Sequence, residues 1–374
     1  LSDTLNCTLA GRCGGCSSHD QSIALGRDTK VERLRTLLGA LVGEAALTPA
    51  SLSTPATSRF RERLDLRLEQ GRLGLLGIRR EDGVIDMMTC PLTTEPLDAF
   101  LAELRADLPP VSRASLRLRA HRDLRGLWLD LSHVDIKHLL DERAWLLRWA
   151  PRVMLELGPK SRHVIVDNDS PKLTEPLLLP WAATFHGDTP LGLCSTVQGF
   201  SQPGSIPNRA LVQAVIAGVR RAQPERIVEL GAGAGNLSLP LVLDGFEVRA
   251  VELDMSAMKA SIAHNRHHLG LAEQRLELVA GSFERETEVP ALLSSADTLL
   301  CDPPRSGLGR FIDGLSKLSR GLRPNAIVYV SCHAEALARD AARLQTLGYR
   351  VSTLTGVDQF PFTHHAEWVV EMSR

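Results

Sequence analysis

From residue 226 onward the chain alternates short apolar runs with helix-like segments, and few folds accept that pattern. RIVELGAG, EVRAVEL, RLELVAG, ADTLLCDPP and NAIVYVSC are the apolar runs; segments 236–244, 254–268, 309–320 and 334–346 read as helices. Strands this uniformly apolar are covered on both faces, which implies a parallel sheet with helices on each side. In such a sheet a ligand sits beyond the carboxyl ends of the strands. The last residues, YRVSTLTGVDQFPFTHHAEWVVEMSR, add two strands around a Pro/His loop.

The first strand runs into IVELGAGAGNLSLPL, with Gly231, Gly233 and Gly235 between strand and helix. Glycines there allow a tight turn and close approach of a ligand to the backbone. The second strand ends in AVELD, which puts Glu252 where a carboxylate can accept both ribose hydroxyls of a nucleoside. The turn carries no further basic phosphate grip. It therefore favours the adenosine of S-adenosylmethionine over a dinucleotide.

Asp302 closes the fourth strand, in LLCDPPRSGLG, where two prolines stiffen the backbone at the crevice. Arg305 stands where enzymes that methylate exocyclic amines carry a base-stacking aromatic, which disfavours that chemistry. Cys332 follows the fifth strand, in VYVSCHAEALARD, just before a helix, where the dipole is expected to lower a thiol pKa. Cys194 and Cys301 read as buried and inert. The tail FPFTHHAE holds His364, His365 and Glu367 without the spacing of a standard metal motif. A carboxylate near a nucleophilic cysteine suggests a general base instead.

The N-terminal half reads differently. NCTLAGRCGGC groups Cys7, Cys13 and Cys16, and Cys90 follows alone in TCPL. Spacing by itself leaves zinc and iron–sulfur ligation both open. RFRERLDLRLEQ and RASLRLRA alternate, with arginines on one parity and leucines on the other for much of their length. They read as half-buried strands with a basic outer face. Arg59–Arg67 and Arg113–Arg119 are accordingly expected to meet nucleic-acid phosphates, or else to form a solvated face. The divisions expected are 1–54, cysteine loop and helix; 55–180, a mainly β, arginine-rich domain holding Cys90; and 181–374, the α/β domain.

With a net charge of −1, any nucleic-acid contact must be a local basic face rather than a general polycation. Aromatics make up only 4%, too few for a broad base-stacking platform. No run of eighteen apolar residues suggests a membrane span, and LSDTLNCTLAG has no apolar signal core. Seven cysteines without a secretory signal point to a reducing cytoplasm.

The ordered set C-x5-C-x2-C with Cys90, GFSQ, the glycine turn, VELD, DPPRSGLG, VYVSC and FPFTHHAE resembles the RNA uracil-5-methyltransferases nearly end to end. The resemblance implies an α/β fold: a Rossmann-like S-adenosylmethionine-dependent methyltransferase domain, an N-terminal iron–sulfur loop and a smaller, mainly β domain. It implies Cys332 as the nucleophile toward uracil C6 and Glu367 as the base that removes the C5 proton. Gln202, Gly231, Asn236, Glu252 and Asp302 would form the donor site. A [4Fe–4S] cluster would sit on Cys7, Cys13, Cys16 and Cys90. The layout is closest to the shorter iron–sulfur enzymes, which methylate 23S rRNA, with tRNA as the alternative substrate. A monomer is implied.

This chain departs from the family at four positions. Gly231 and Ala232 replace an aromatic–Cys pair, Gly204 replaces an Asn and His333 another. An aromatic wall beside the donor is therefore expected to be missing. These departures leave open a non-catalytic RNA-binding or folding factor on the same scaffold. DNA cytosine methylation is disfavoured, because its nucleophile follows the fourth strand rather than the fifth.

Overall fold

The computed structural model describes residues 4–39, 41–42, 51–131, 139, 141, 143–294 and 296–374. In chain order the strands are β1 Ser51–Ser53, β2 Arg63–Glu69, β3 Arg72–Leu76, β4 Val84–Asp86, β5 Arg113–His121, β6 Leu124–Asp130, β7 Met154–Leu157, β8 Arg162–Asp167 and β9 Ser170–Thr174. They continue as β10 Leu179–His186, β11 Thr189–Ser195, β12 Arg226–Leu230, β13 Glu247–Glu252, β14 Leu276–Ala280, β15 Thr298–Cys301, β16 Ala326–Ser331, β17 Arg350–Val357 and β18 Glu367–Ser373. Two compact units form. The first takes the chain up to Ile23, Ala56–Ala182 and Cys194–Ser205; the second takes Ala24–Pro55, Ala183–Leu193 and Ile206–Arg374.

The first unit is built on a sheet ordered β4-β3-β2-β5-β6-β7-β8-β9. Its centre is the antiparallel pair β2–β5, in register Leu64↔Leu118, Leu66↔Leu116 and Leu68↔Ala114. Alternation puts these residues on one face, where they are buried. The helix Glu95–Ala106 belongs to the same core and buries Leu97, Phe100, Leu101 and Leu104, a helical stripe at i, i+3, i+4 and i+7. Pro96 in its first turn and Glu95 and Asp98 at its positive end suit the start of a helix.

The second unit holds a sheet ordered β1-β17-β18-β16-β15-β12-β13-β14. β13, β12, β15 and β16 run parallel, as the apolar runs imply, and β18 enters antiparallel between β16 and β17. β12 has β13 on one side and β15 on the other, so strand order reverses there and opens a crevice at the carboxyl ends.

Nearly all of the helix Ile23–Leu38, grouped with the cysteine loop on sequence, lies in this second unit. Its buried Lys30 Nζ reaches both oxygens of Asp358 at 2.8 Å and the Phe360 carbonyl at 3.0 Å. Burial pulls the lysine pKa down and pushes the aspartate up, and each partner offsets the other's cost. Breaking such a pair leaves a lone buried charge, at a cost of about 3–5 kcal/mol. The lysine thereby pins the start of the loop that leads to Glu367.

Candidate active site

Strand register assembles the crevice. Leu230 at the end of β12 pairs with Val251 on β13 and with Cys301 on β15, and Cys301 pairs with Tyr329 on β16. Gly231, Glu252, Asp302 and Cys332 follow at the ends of four neighbouring strands. β18 runs the other way, in register Ser331↔Trp368, so Glu367 at its start lies beside the end of β16 that leads to Cys332.

The glycine turn is locally determined. Gly231, Gly233 and Gly235 have φ of +74°, +55° and +93°. At Gly235 a Cβ would also stand 2.7 Å from the Met258 sulfur. Gly233 N–H donates to Glu252 Oε2 at 3.0 Å, and Leu253 N–H donates to Oε1 at 2.6 Å. These bonds orient the carboxylate and leave it lone pairs for a ligand. Asn236 forms a reciprocal amide pair with buried Asn208, at 2.7 and 3.0 Å, so its side chain already has a partner in the fold. An aromatic ring does lie near the turn: a Cβ on Gly231 would stand 3.6 Å from the Phe283 ring.

Three acidic groups near the crevice have raised pKa values. Burial pushes Asp302 up to about 7. Glu367, 5% exposed, is held well above the carboxylate range by burial and then by Asp302, with Arg305 opposing. Glu229, which sequence reasoning does not single out, is pushed up to about 8, chiefly by burial and further by Asp302 and Glu252. It accepts the Ser238 hydroxyl under the glycine turn.

Cys332 departs from expectation. Its thiol is pushed up to about 11, first by burial and then by Glu367, while a hydrogen bond from Arg305 pulls it back. The expected dipole effect is small because His333 is the N-cap and accepts Ala336 N–H at 3.2 Å; Cys332 precedes the helix. Arg305, read on sequence only as a missing aromatic, is thus the cation that stabilises the thiolate. Cys301 and Cys194 are buried, as expected. His365 is pushed down to about 4 by burial and neighbouring cations, hence neutral near pH 7. Among the described residues no group of three or more His, Cys, Asp or Glu is arranged to hold a metal ion.

Gln202 lies in the first unit, on the loop after β11. Three of the arginines expected to face RNA, Arg63, Arg117 and Arg119, hold this loop. Arg63 donates to Ser201 O at 2.6 Å and Arg117 to Gly199 O at 2.9 Å. Arg119, 1% exposed, donates to Ser195 Oγ at 3.0 Å and to Gly199 O. Buried Glu156 accepts Val197 N–H at 2.9 Å and Gln198 N–H at 3.3 Å. Parity places these arginines on the outer face, but the loop covers that face. Phe200, 74% exposed, stands on this clasped segment with Arg63 over its ring.

Cys7, Cys13, Cys16 and Cys90 line one pocket of the first unit, with Leu5, Leu9, Leu64, Leu75, Met87 and Leu92. All four are free thiols. Cys16 is pushed up to about 12 by burial and then by Cys90, with Cys13 and Cys7 adding to it, so the four groups feel one another.

A family model described as tRNA (Uracil-5-)-methyltransferase matches residues 194–374. An uncharacterised RNA methyltransferase of Bdellovibrio bacteriovorus is 32% identical over 97% of this chain and 94% of its own length. The 23S rRNA (uracil(1939)-C(5))-methyltransferase RlmD of Pectobacterium atrosepticum is 30% identical over 96% of this chain and 78% of its own. Among solved structures, the tRNA (uracil-54, C5)-methyltransferase of Pyrococcus abyssi, in complex with S-adenosyl-L-homocysteine, superimposes with a TM-score of 0.66. That likeness covers 98% of this chain and 86% of the other at 20% identity, and it shows the fold.

Proposed function

We propose the following reaction for this chain, which belongs to the RNA uracil-5-methyltransferase family: methylation of C5 of a uridine in 23S rRNA through a covalent enzyme–base adduct. The observation that carries the reading is the register that sets Glu367, at the start of β18, beside the strand end leading to Cys332. The rRNA choice is supported by likeness to a 23S rRNA enzyme over 96% of this chain and 78% of that enzyme.

C5 of uracil is too weak a nucleophile to take a methyl group directly. The Cys332 thiol gives up its proton to solvent, its sulfur bonds to C6, and the C5=C6 electrons move to give an enolate with a nucleophilic C5. S-adenosylmethionine, when bound, supplies the methyl group and leaves as S-adenosylhomocysteine. Glu367 then takes the C5 proton; the electrons re-form C5=C6 and expel the Cys332 thiolate. Arg305 steadies that thiolate at both ends of the cycle. Glu252 accepts the donor's ribose hydroxyls, while Gln202, Gly231 and Asn236 line the donor and Asp302 contacts donor or base. The target base must leave any stack to reach the crevice.

Mass-spectrometric mapping of 5-methyluridine in 23S rRNA and tRNA from a deletion strain tests the substrate. One 23S site is expected to lose its methyl group; loss from tRNA alone overturns the choice.

Cys7, Cys13, Cys16 and Cys90 are not arranged around a metal ion as they stand; the [4Fe–4S] reading is supported by donor chemistry alone, four soft sulfur ligands lining one apolar pocket. Cys7, Cys13, Cys16 and Cys90 would hold it as a structural tie, since no step above moves a single electron. Anaerobically purified protein should contain about four iron and four sulfide per chain; colourless, zinc-containing protein overturns this. A cytoplasmic monomer belongs to the same reading.

A further inference from the structure

Two sets of arginines in the first unit contrast. Arg63, Arg117 and Arg119 are taken up by the 195–201 loop. Arg12 and Arg72, both exposed, make no side-chain hydrogen bond or ion pair among the described residues. Far apart in sequence, they meet at one cleft of about 600 Å³, lined also by Ile78, Arg79, Asp82 and Asp86.

The fold builds this cleft by docking the cysteine loop on the β3–β4 hairpin. Gly14 N–H donates to Leu76 O at 2.9 Å and Ile78 N–H to Arg12 O at 3.0 Å, with Cys13 bridged to Gly77. A Cβ on Gly14 would stand 2.9 Å from Leu76 O, so the close approach needs that glycine. The docking fixes Arg12 beside the strand that carries Arg72.

The charges do not cancel. Asp82 is paired with Arg79 at 2.9 Å, and Asp86 with Arg105 at 2.7 and 2.8 Å. The lining thus sets three guanidiniums, Arg12, Arg72 and Arg79, against two carboxylates already hydrogen-bonded by Arg79 and Arg105, and Arg12 and Arg72 reach Asp82 and Asp86 only through space. Guanidinium forks match the paired oxygens of a phosphate, and RNA carries one phosphate per nucleotide.

We propose that this cleft binds a phosphodiester of the substrate RNA backbone, with Arg12 and Arg72 as the phosphate ligands. The inference rests on the RNA-methylation reading. It gives the cysteine loop a second role, in which it holds Arg12, and so one phosphate contact, in place.

The test is binding of purified 23S rRNA from the deletion strain, and of total tRNA in parallel, without methyl donor and across a salt series. The R12Q/R72Q variant should bind at least about tenfold more weakly at physiological salt. Its log–log salt slope should be shallower by about 1.5, the value for two lost phosphate contacts. At saturating RNA its kcat should match wild type. Unchanged affinity and slope overturn the proposal. If the double variant does not fold, R72Q alone should lower the slope by about half as much. A wild type that binds RNA yet forms no 5-methyluridine sinks the methylation reading and leaves the cleft standing. Equal binding by wild type and variant sinks the cleft whatever the activity.

Discussion

C332A is expected to lower methyl transfer from S-adenosylmethionine to RNA by at least about 10⁴-fold, the scale seen when a covalent nucleophile is removed. Without the sulfur at C6, C5 stays part of a conjugated pyrimidine and has no electrons to offer the methyl group. The loss should fall on kcat, because half-buried Cys332 supplies little packing and neither strand register nor the glycine turn depends on it. Donor affinity should stay near wild type, since Glu252 is oriented by turn amides rather than by the thiol. The measurement is incorporation of labelled methyl groups into RNA from the deletion strain. A variant that keeps more than about one hundredth of the wild-type rate would eliminate the covalent route.

The raised thiol pKa sharpens that expectation. With a pKa of about 11, only about one thiol in 10⁴ is ionised at pH 7 in the free protein. The sulfur must therefore lose its proton before it can bond to C6. The groups that raise it, burial and Glu367, outweigh the hydrogen bond from Arg305.

Features set by local chemistry are legible in the sequence, and features set by distant coverage are not. Gly231, Gly233 and Gly235 can be read because only glycine takes φ values of +55° to +93° cheaply. The β12–β16 strands can be read because two-sided burial leaves a continuous apolar run. The arginines of β2 and β5 mislead for the opposite reason. Parity tells which face a side chain occupies, but not that residues 195–201, some eighty positions later than β5, return to cover it. The same limit hides the Cys332 pKa: a helix start is visible in sequence, whereas Glu367 and the burial that overrides it come from a strand inserted out of order. Adjacency groups helix Ile23–Leu38 with the cysteines, and Lys30 ties it instead to Asp358. The pairing of Asn236 with Asn208 is likewise invisible in sequence, because Asn208 lies on the helix Ser205–Ala222, well before the glycine turn.

E367Q should separate the two halves of the reaction. Adduct formation and methyl transfer need the sulfur and C5; only the final elimination needs a base for the C5 proton. The variant is expected to accumulate a methylated RNA–protein adduct that survives denaturing electrophoresis, while turnover falls about 10²–10⁴-fold, the usual contribution of a positioned base. C332A/E367Q should give no adduct. The pH dependence has a definite sign. Ionised Glu367 raises the thiol pKa through charge repulsion, so its neutral replacement lowers that pKa and increases the thiolate fraction at pH values where wild-type Glu367 is ionised. Alkylation of Cys332 by iodoacetamide, followed by peptide mass spectrometry, should therefore be faster in E367Q than in wild type at pH 9. A variant that turns over normally would remove Glu367 from proton abstraction. One that traps adduct with unchanged alkylation would keep it as the base but move the source of the thiol's raised pKa to burial alone. Chemistry and electrostatics at one side chain are thus read by two independent measurements, and the arrangement of β16 beside β18 requires both to change together.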